Sequence, residues 1–197
     1  MYLKIDSKKI TSADLALIVK TLNAGQVIVY PTDTIYGLGC LATDKKAIAK
    51  IKEIKKRDQN KPLLVLVSSL NMAKKYCFVS KEQEIILKKL WSSSRPTSVI
   101  LRHRNLLAPE LTSNIGALAL RLPKSDFLRK MIRMIRVPLV STSFNLSGEP
   151  VLNKVDYLAD KVLSKNDPSL IIDGGILKNR ASKIIDLSGE KIKIIRK

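Results

Sequence analysis

The chain has 197 residues, of which 45% are hydrophobic and 27% charged, so it carries enough apolar material for one globular core. Lys and Arg number 36 against 17 Asp and Glu, which gives a formal net charge of +19. Such an excess attracts polyanions, namely nucleic acid, nucleotides or anionic lipid, without distinguishing among them. A surface that is simply rich in lysine explains most of the excess equally well.

Cysteine and histidine are scarce, and this excludes several kinds of site. Cys40 and Cys77 lie far apart in sequence, and His103 is the single histidine. The set excludes a Cys/His zinc site, argues against a disulfide framework, and makes a serine–histidine hydrolase a poor candidate. We expect Cys40 to be a small buried apolar residue. The chemistry therefore falls to Lys, Arg, Ser, Thr, Asn and backbone groups.

Helical and strand patterns alternate along the chain, which predicts an α/β fold. Helices are predicted from the N-cap Ser12 to Gly25, after the cap Asp44, after a capping box of Ser80 and Gln83, and over 125–135. Strands are predicted at 26–30, 63–67, 98–101, 117–121, 139–142 and 170–173, with a final hairpin of 184–187 and 192–195. Residues 31–39 are rich in hydroxyls and glycines and are predicted to form a functional loop. No apolar run approaches the roughly 20 residues of a membrane span, so we expect a cytoplasmic protein with no membrane contact.

The second helix and the residues after it concentrate positive charge. Four residues form its predicted apolar stripe, namely Ala47, Ile48, Ile51 and Ile54, and we expect five basic residues to lie largely outside that stripe, namely Lys46, Lys50, Lys52, Lys56 and Arg57. Lys55, Arg57 and Lys61 come where this helix ends and a buried strand begins, an arrangement that can hold phosphates. A solvated basic helix end explains the same run, because cations favour a helix C-terminus.

Two further segments can carry chemistry. The run 140–148 follows a strand and holds Ser143 and Asn145 among four hydroxyls, which can donate to phosphate or ribose oxygens or can simply form a turn. Arg121 ends an otherwise apolar strand, where a ligand carboxylate, a phosphate or an internal Asp or Glu would each provide a partner. Neither a Walker loop nor a dinucleotide-binding glycine motif occurs in the sequence.

Taken together and in order, these segments resemble the YrdC/TsaC family of threonylcarbamoyl-AMP synthases. The matching segments are Tyr30-Pro31-Thr32-Asp33-Thr34 with Tyr36-Gly37-Leu38-Gly39, Lys55-x-Arg57 with Lys61-Pro62, Leu120-Arg121-Leu122-Pro123, Ser143-x-Asn145, Asp173-Gly174-Gly175, Ser182 before Ile184-Ile185-Asp186, and Ile194-Ile195-Arg196. Each segment alone is a weak indication of the family, but the occurrence of all of them in the same order is a strong one. The resemblance implies one domain over 1–197, a twisted open mixed sheet flanked by helices with a basic concave face, and no C-terminal extension domain such as longer members carry.

The resemblance also implies an activity. L-threonine, bicarbonate and ATP would be joined into threonylcarbamoyl-AMP with release of pyrophosphate, for the threonylcarbamoyladenosine modification of tRNA. Mg²⁺ would bridge the phosphates, held mainly by ATP and water. The implied partners beyond these substrates are tRNA or double-stranded RNA and the proteins of the threonylcarbamoyl-transfer complex.

Site residues carry over from the same resemblance. Arg57 and Lys61 would bind the triphosphate, and Lys55 would neutralise charge as pyrophosphate leaves. The other implied nucleotide contacts are Ser143, Asn145 and Arg196. Arg121 would pair with the threonine carboxylate. The residues implied to help fix the amino acid are Thr34 and Ser182.

The sequence departs from the family pattern at three places. The segment 91–98 is longer than the usual Trp-Pro-Gly-Pro and lacks its glycine, so the family pattern does not predict the path of this loop. Leu66 stands where some longer members have a histidine that contacts threonine. Phe144 stands where the family commonly has a small residue, and we expect it to narrow the pocket.

Two other functions fit parts of the sequence. A non-catalytic RNA-binding or ribosome-maturation protein would use the same basic face, although only 5% of residues are aromatic and none are interleaved with the basic runs. A carbamoyl-adenylate enzyme of hydrogenase maturation would need additional fused domains.

Overall fold

A computed structural model describes residues 1–6, 9–112, 115–155 and 168–197. Within these ranges the helices are α1 (Ser12–Asn23), α2 (Lys45–Ile54), α3 (Leu70–Tyr76), α4 (Lys81–Ser92) and α5 (Asp126–Ile135). The strands are β1 (Tyr2–Lys4), β2 (Ile28–Tyr30), β3 (Gly37–Gly39), β4 (Leu64–Leu66), β5 (Thr97–Arg102), β6 (Ala117–Arg121), β7 (Leu139–Ser143), β8 (Leu170–Asp173), β9 (Lys183–Asp186) and β10 (Lys193–Arg196). None of the described helices is both long and apolar enough to cross a bilayer.

The ten strands form one mixed sheet in the order β1-β8-β2-β3-β7-β4-β6-β5-β9-β10. The β1–β8, β2–β8, β4–β6 and β5–β9 pairs are parallel. The β2–β3, β3–β7, β4–β7, β5–β6 and β9–β10 pairs are antiparallel. The sheet with its flanking helices confirms the predicted mixed α/β fold.

The two faces of the sheet have different coverings, because successive residues of a strand point to opposite sides. In β6, Leu118 and Leu120 join the larger core cluster, which includes side chains of α2, α3 and α4. Ala119 and Arg121 point to the other face and line an open cleft. On that second face α1 and α5 pack over the part of the sheet that includes Ile28 and Leu170. The cleft therefore lies beside the α1–α5 layer, over β4, β6, β5 and β9.

Most helix caps follow the sequence prediction, with one correction. Thr11, rather than Ser12, is the N-cap of α1: its hydroxyl accepts from Asp14 N at 3.1 Å, and the Asp14 carboxylate accepts from Thr11 N at 3.2 Å. This reciprocal capping box satisfies two backbone donors, whereas Ser12 has no acidic residue at the matching position. The predicted caps of α2 and α4, Asp44 and Ser80, are confirmed.

Three elements were not predicted. Residues 37–39 form β3 rather than part of a loop, because glycine allows two neighbours to approach closely: a Cβ on Gly39 would lie 2.3 Å from the Val140 carbonyl oxygen. Helix α3 has only seven residues, too few to show a helical period, and begins at the cap Ser69. Strand β1 is short and edge-lying, and it is held by parallel pairing with β8.

Cys40 is fully buried, as predicted, and burial raises the pKa of its thiol well above the usual range. Cys77 is likewise buried and is a free thiol. Neither side chain lines the cleft, so both cysteines serve as small apolar core residues.

Candidate functional site

The open cleft has a volume of about 370 Å³ and brings together distant parts of the chain. Six of the predicted site residues line it: Thr34, Arg57, Arg121, Ser143, Ser182 and Arg196. Its floor includes the apolar side chains Leu64, Ile100 and Ile184. No Asp or Glu is among the described residues of the lining. The cleft thus combines three guanidinium groups with hydroxyls, a set suited to anionic ligands.

Arg57 lies on a tight connection between α2 and β4. Its Nη2 donates to the Pro62 carbonyl oxygen at 3.0 Å, and its backbone N–H donates to the Lys52 carbonyl at 2.8 Å. Its Nε is buried and has no hydrogen-bond partner among the described atoms. Lys61, also predicted to bind the triphosphate, is exposed and is not among the residues that line the cleft.

Lys52 corrects the prediction that the basic residues of α2 lie outside the apolar stripe. Its side chain is only 1% exposed. The ammonium donates to the Glu110 carbonyl at 2.8 Å and to the Gln59 carbonyl, which lies in the segment between Arg57 and Lys61. Backbone carbonyls from distant residues thus compensate its burial, which the helical period cannot show.

Lys55 lies beneath the cleft rather than in its lining. Lys55 is only 2% exposed. Its ammonium donates to the Ser143 carbonyl at 2.5 Å, the Asn145 carbonyl at 2.7 Å and Asn145 Oδ1 at 3.1 Å. Burial, followed by the nearby charge of Arg57, lowers the pKa of Lys55 to about 8. Lys55 therefore fixes the loop that follows β7.

The same contacts orient Ser143 and Asn145. Because Lys55 donates to Asn145 Oδ1, that atom is the amide oxygen, and the Ser143 hydroxyl donates its proton to it at 2.6 Å. The Asn145 amide nitrogen donates to the Glu149 carbonyl at 2.6 Å. Ser143 consequently offers lone pairs to the cleft, while Asn145 supports it from behind.

Arg121 has an internal carboxylate partner, one of the alternatives that its sequence position allows. Its Nη1 lies 2.7 Å from Asp33 Oδ1, and the two side chains are 5% and 9% exposed. The second Asp33 oxygen accepts from Lys124 N at 3.0 Å, and the Asp33 carbonyl accepts from Asn179 Nδ2 at 3.1 Å. These contacts hold the guanidinium of Arg121 at the cleft wall.

Ser182 and Arg196 are coupled at the side of the cleft where β9 and β10 lie. The Arg196 guanidinium donates to the Ser182 carbonyl through Nε at 2.9 Å and Nη2 at 2.6 Å. The Ser182 hydroxyl is 2.8 Å from that of Ser98 on β5. Part of the hydrogen-bonding capacity of Arg196 thus holds Ser182 in place.

Tyr36 explains why the distant segment Asp173-Gly174-Gly175 accompanies the first loop. Its hydroxyl donates to the Gly175 carbonyl at 2.7 Å and accepts from Gly174 N at 2.9 Å. A Cβ on Gly174 would lie 2.7 Å from Pro31 Cγ, so glycine permits this close contact. The tyrosine and the glycine turn together fix the segment 31–36 that carries Thr34.

Phe144 does not narrow the cleft, contrary to expectation. It is 1% exposed, belongs to the larger core cluster and is absent from the cleft lining. The strand alternation explains this, since Ser143 points toward the cleft and the next residue points away. Trp91 is also buried, and its indole N–H donates to the Thr97 carbonyl at 3.1 Å.

Thr32 and Asp33 contact residues of the cleft but were not among the predicted site residues. Both lie in the hydroxyl-rich segment before Tyr36, but their partners are Thr34, Ile35 and the distant Arg121. The sequence did contain a hint of the ion pair, namely one carboxylate, Asp33, among hydroxyl residues and one arginine, Arg121, at the end of an apolar strand.

The sequence is similar to a known protein family over most of its length. The profile of the Sua5/YciO/YrdC family, described as telomere recombination, matches residues 20–197. A threonylcarbamoyl-AMP synthase of Neisseria meningitidis is 30% identical over 166 residues, covering 78% of this chain and 87% of that protein. One of Pyrococcus abyssi is 28% identical over 172 residues, covering 85% of this chain and 48% of that protein. This chain thus spans about half the length of the Pyrococcus relative.

A solved structure shares the fold. The crystal structure of P. abyssi Sua5 complexed with L-threonine has a TM-score of 0.87 and 24% sequence identity, and the match covers 100% of this chain and 56% of that one. The profile match extends over most of the sequence and includes every residue that we place at the cleft. The chain therefore belongs to the Sua5/YciO/YrdC family.

Proposed function

We propose that this protein synthesises threonylcarbamoyl-AMP from L-threonine, bicarbonate and ATP and releases pyrophosphate. The observation that carries the proposal is the cleft, where Arg57, Arg121 and Arg196 converge with hydroxyls and no lining carboxylate among the described residues. The names of the relatives support this reaction over a non-catalytic RNA-binding role. The L-threonine complex of P. abyssi Sua5 supports threonine as the amino acid.

Two of the substrates would occupy different ends of the cleft, L-threonine at Arg121 and ATP at Arg57. Arg121 would bind the threonine carboxylate beside Thr34, because a guanidinium held by Asp33 is already oriented for a planar anion. Arg57 would face the triphosphate at the other end, near Ser143. The Ser143 oxygen, with its proton directed to Asn145, is suited to accept from a ribose hydroxyl.

The proposed chemistry needs no covalent enzyme intermediate. The threonine nitrogen would attack the carbon of bicarbonate, forming a C–N bond and releasing water to leave a carbamate. A carbamate oxygen would then attack the α-phosphorus of ATP, and the bond from that phosphorus to the pyrophosphate oxygen would break. The protein would contribute positioning and positive charge, with Arg57 nearest to the charge that develops on pyrophosphate.

Mg²⁺ would enter as part of the ATP substrate. Within the described residues no group of three His, Cys, Asp or Glu side chains comes together as metal ligands. Phosphate oxygens and water therefore form the proposed ligand set. The product would supply the threonylcarbamoyl group for tRNA modification, and the net charge of +19 would favour tRNA near the protein in the cytoplasm.

The proposal is tested by following pyrophosphate release from ATP and Mg²⁺ with purified protein. Release should require both L-threonine and bicarbonate, and it should be much lower with L-serine or without an amino acid. R57A, which removes no buried carboxylate partner, should remain folded and lose release. Folded wild-type protein that releases no pyrophosphate yet binds tRNA would instead favour the RNA-binding function.

A further inference from the structure

The loop between β2 and β3 contains a short chain of hydroxyl hydrogen bonds that runs from Ile35 through Thr32 to Thr34. Thr32 Oγ1 lies 2.7 Å from the Ile35 carbonyl oxygen and 2.8 Å from Thr34 Oγ1. It also accepts from the backbone N–H of Thr34 at 2.9 Å. Thr32 and Thr34 are both buried, and both are at the cleft lining.

The direction of these bonds follows from counting protons. A carbonyl oxygen can only accept, so the contact with Ile35 uses the one hydroxyl proton of Thr32. The contact between the two hydroxyls must then use the proton of Thr34. Thr34 therefore presents lone pairs, and no hydroxyl proton, toward the cleft.

This polarity decides which part of a ligand Thr34 can bind. A carboxylate or a phosphate offers no proton at neutral pH, so a hydroxyl that has already donated its own proton cannot stabilise it. An amine N–H or a ligand hydroxyl can donate to it. Asp33, which lies between the two threonines in sequence, holds the side chain of Arg121. The Arg121 guanidinium supplies the donor for a carboxylate at the same end of the cleft.

We propose that Thr32 is a positioning residue that fixes Thr34 as a hydrogen-bond acceptor for the amino group of the substrate. The inference rests on the proposed function, since it assumes that an α-amino acid occupies this end of the cleft. In an α-amino acid the amino group and the carboxylate are attached to the same carbon. The acceptor Thr34 and the guanidinium that Asp33 holds are likewise close together, because Thr34 and Asp33 are adjacent in sequence. The hydrogen bond from the amino group to Thr34 would also fix the orientation of the amino nitrogen before it reacts.

The experiment measures dissociation constants by NMR titration, which reaches millimolar affinities, for L-threonine and for L-2-aminobutyrate, which lacks the side-chain hydroxyl. The variants are T34V, T32V, the double variant T32V/T34V and the conservative control T32S. T34V should weaken both ligands about tenfold, the effect of one hydrogen bond to a charged group. T32V should weaken both about threefold or more, because it frees the Thr34 hydroxyl to rotate, whereas T32S should bind like the wild type.

Two results would overturn the inference. If Thr32 acts through Thr34, T32V adds nothing in the T34V background; effects that multiply in the double variant would show a general distortion of the loop instead. If T34V weakens L-threonine and leaves L-2-aminobutyrate unchanged, Thr34 accepts from the side-chain hydroxyl and not from the amino group. Wild-type protein that binds ATP and neither amino acid would contradict the proposed function itself, which separates that failure from this one.

Discussion

The two ends of the cleft handle positive charge in different ways. At one end Arg121 forms a buried ion pair with Asp33 at 2.7 Å, so the protein neutralises this charge internally. At the other end Arg57 donates to the Pro62 carbonyl, and no ion pair joins it or Lys55 to a carboxylate in the described ranges. The charge of Arg121 is therefore balanced by its partner, whereas Arg57 and Lys55 keep their positive charge.

The difference matches the proposed ligands. A zwitterionic amino acid carries no net charge, so it needs oriented groups more than an electrostatic field. A triphosphate carries several negative charges, which an uncompensated cationic end attracts. The comparison also separates stability from binding, because removing a paired buried charge and removing an unpaired one have different consequences.

The largest expected effects come from replacing each arginine by alanine. Both R121A and R57A should lower pyrophosphate release by about 100-fold or more, since each would remove a proposed charged contact to a substrate. Only R121A should also lower the free energy of unfolding, by about 3 to 5 kcal/mol, because Asp33 would remain buried without its partner. Urea denaturation of both variants checks this split.

A double variant is the control for that prediction. D33N/R121M removes both charges of the pair, so its stability should exceed that of R121A while L-threonine binding stays lost. Equal stability losses in R57A and R121A would remove the distinction between the two ends.

The next largest effect concerns Lys55. K55M should lower the free energy of unfolding by about 2 kcal/mol, because the Ser143 and Asn145 carbonyls would lose their buried donor. K46M, on the exposed side of the preceding helix α2, is the matched control and should change stability little. Thermal or urea denaturation of the two variants decides whether Lys55 supports the loop as the geometry indicates.

A smaller effect is expected from salt. Raising the salt concentration from about 50 to 300 mM should weaken ATP binding severalfold and leave L-threonine binding almost unchanged, because screening acts mainly on uncompensated charge. The R57A variant should show a flatter salt dependence for ATP. Equal salt dependence for both ligands in calorimetric titrations would contradict the charge balance that we assign to the Arg121–Asp33 pair.

The stability of the protein should also depend on pH. The folded-state pKa of Lys55 is about 8, below its ordinary value of 10.5, so between these values the unfolded chain binds the proton more strongly. The contribution of Lys55 to the free energy of unfolding should therefore rise as the pH increases from about 8 to 10.5. Urea denaturation at pH 7.5 and 9.5 should show this rise in the wild type relative to K55M. An identical pH response of the two proteins would contradict it.

Much of the architecture was accessible from the sequence because it depends on local patterns. The apolar stripe of α2, the caps Asp44 and Ser80, and the strand over Ala117–Arg121 all follow from short-range periodicity and side-chain chemistry. Strand β3 and helix α3 were missed because close backbone approach and a seven-residue helix leave little local signal.

The α/β class, the positive net charge and the segments that supply the cleft residues can all be inferred from the amino-acid sequence. These properties depend on composition, on periodicity and on the order of short motifs. The pairing of Arg121 with Asp33, the burial of Lys52 and Lys55, and the position of Phe144 in the core become visible only in the folded chain. Each of them depends on a carbonyl, a carboxylate or a sheet face that is distant in sequence, and folding brings these partners together.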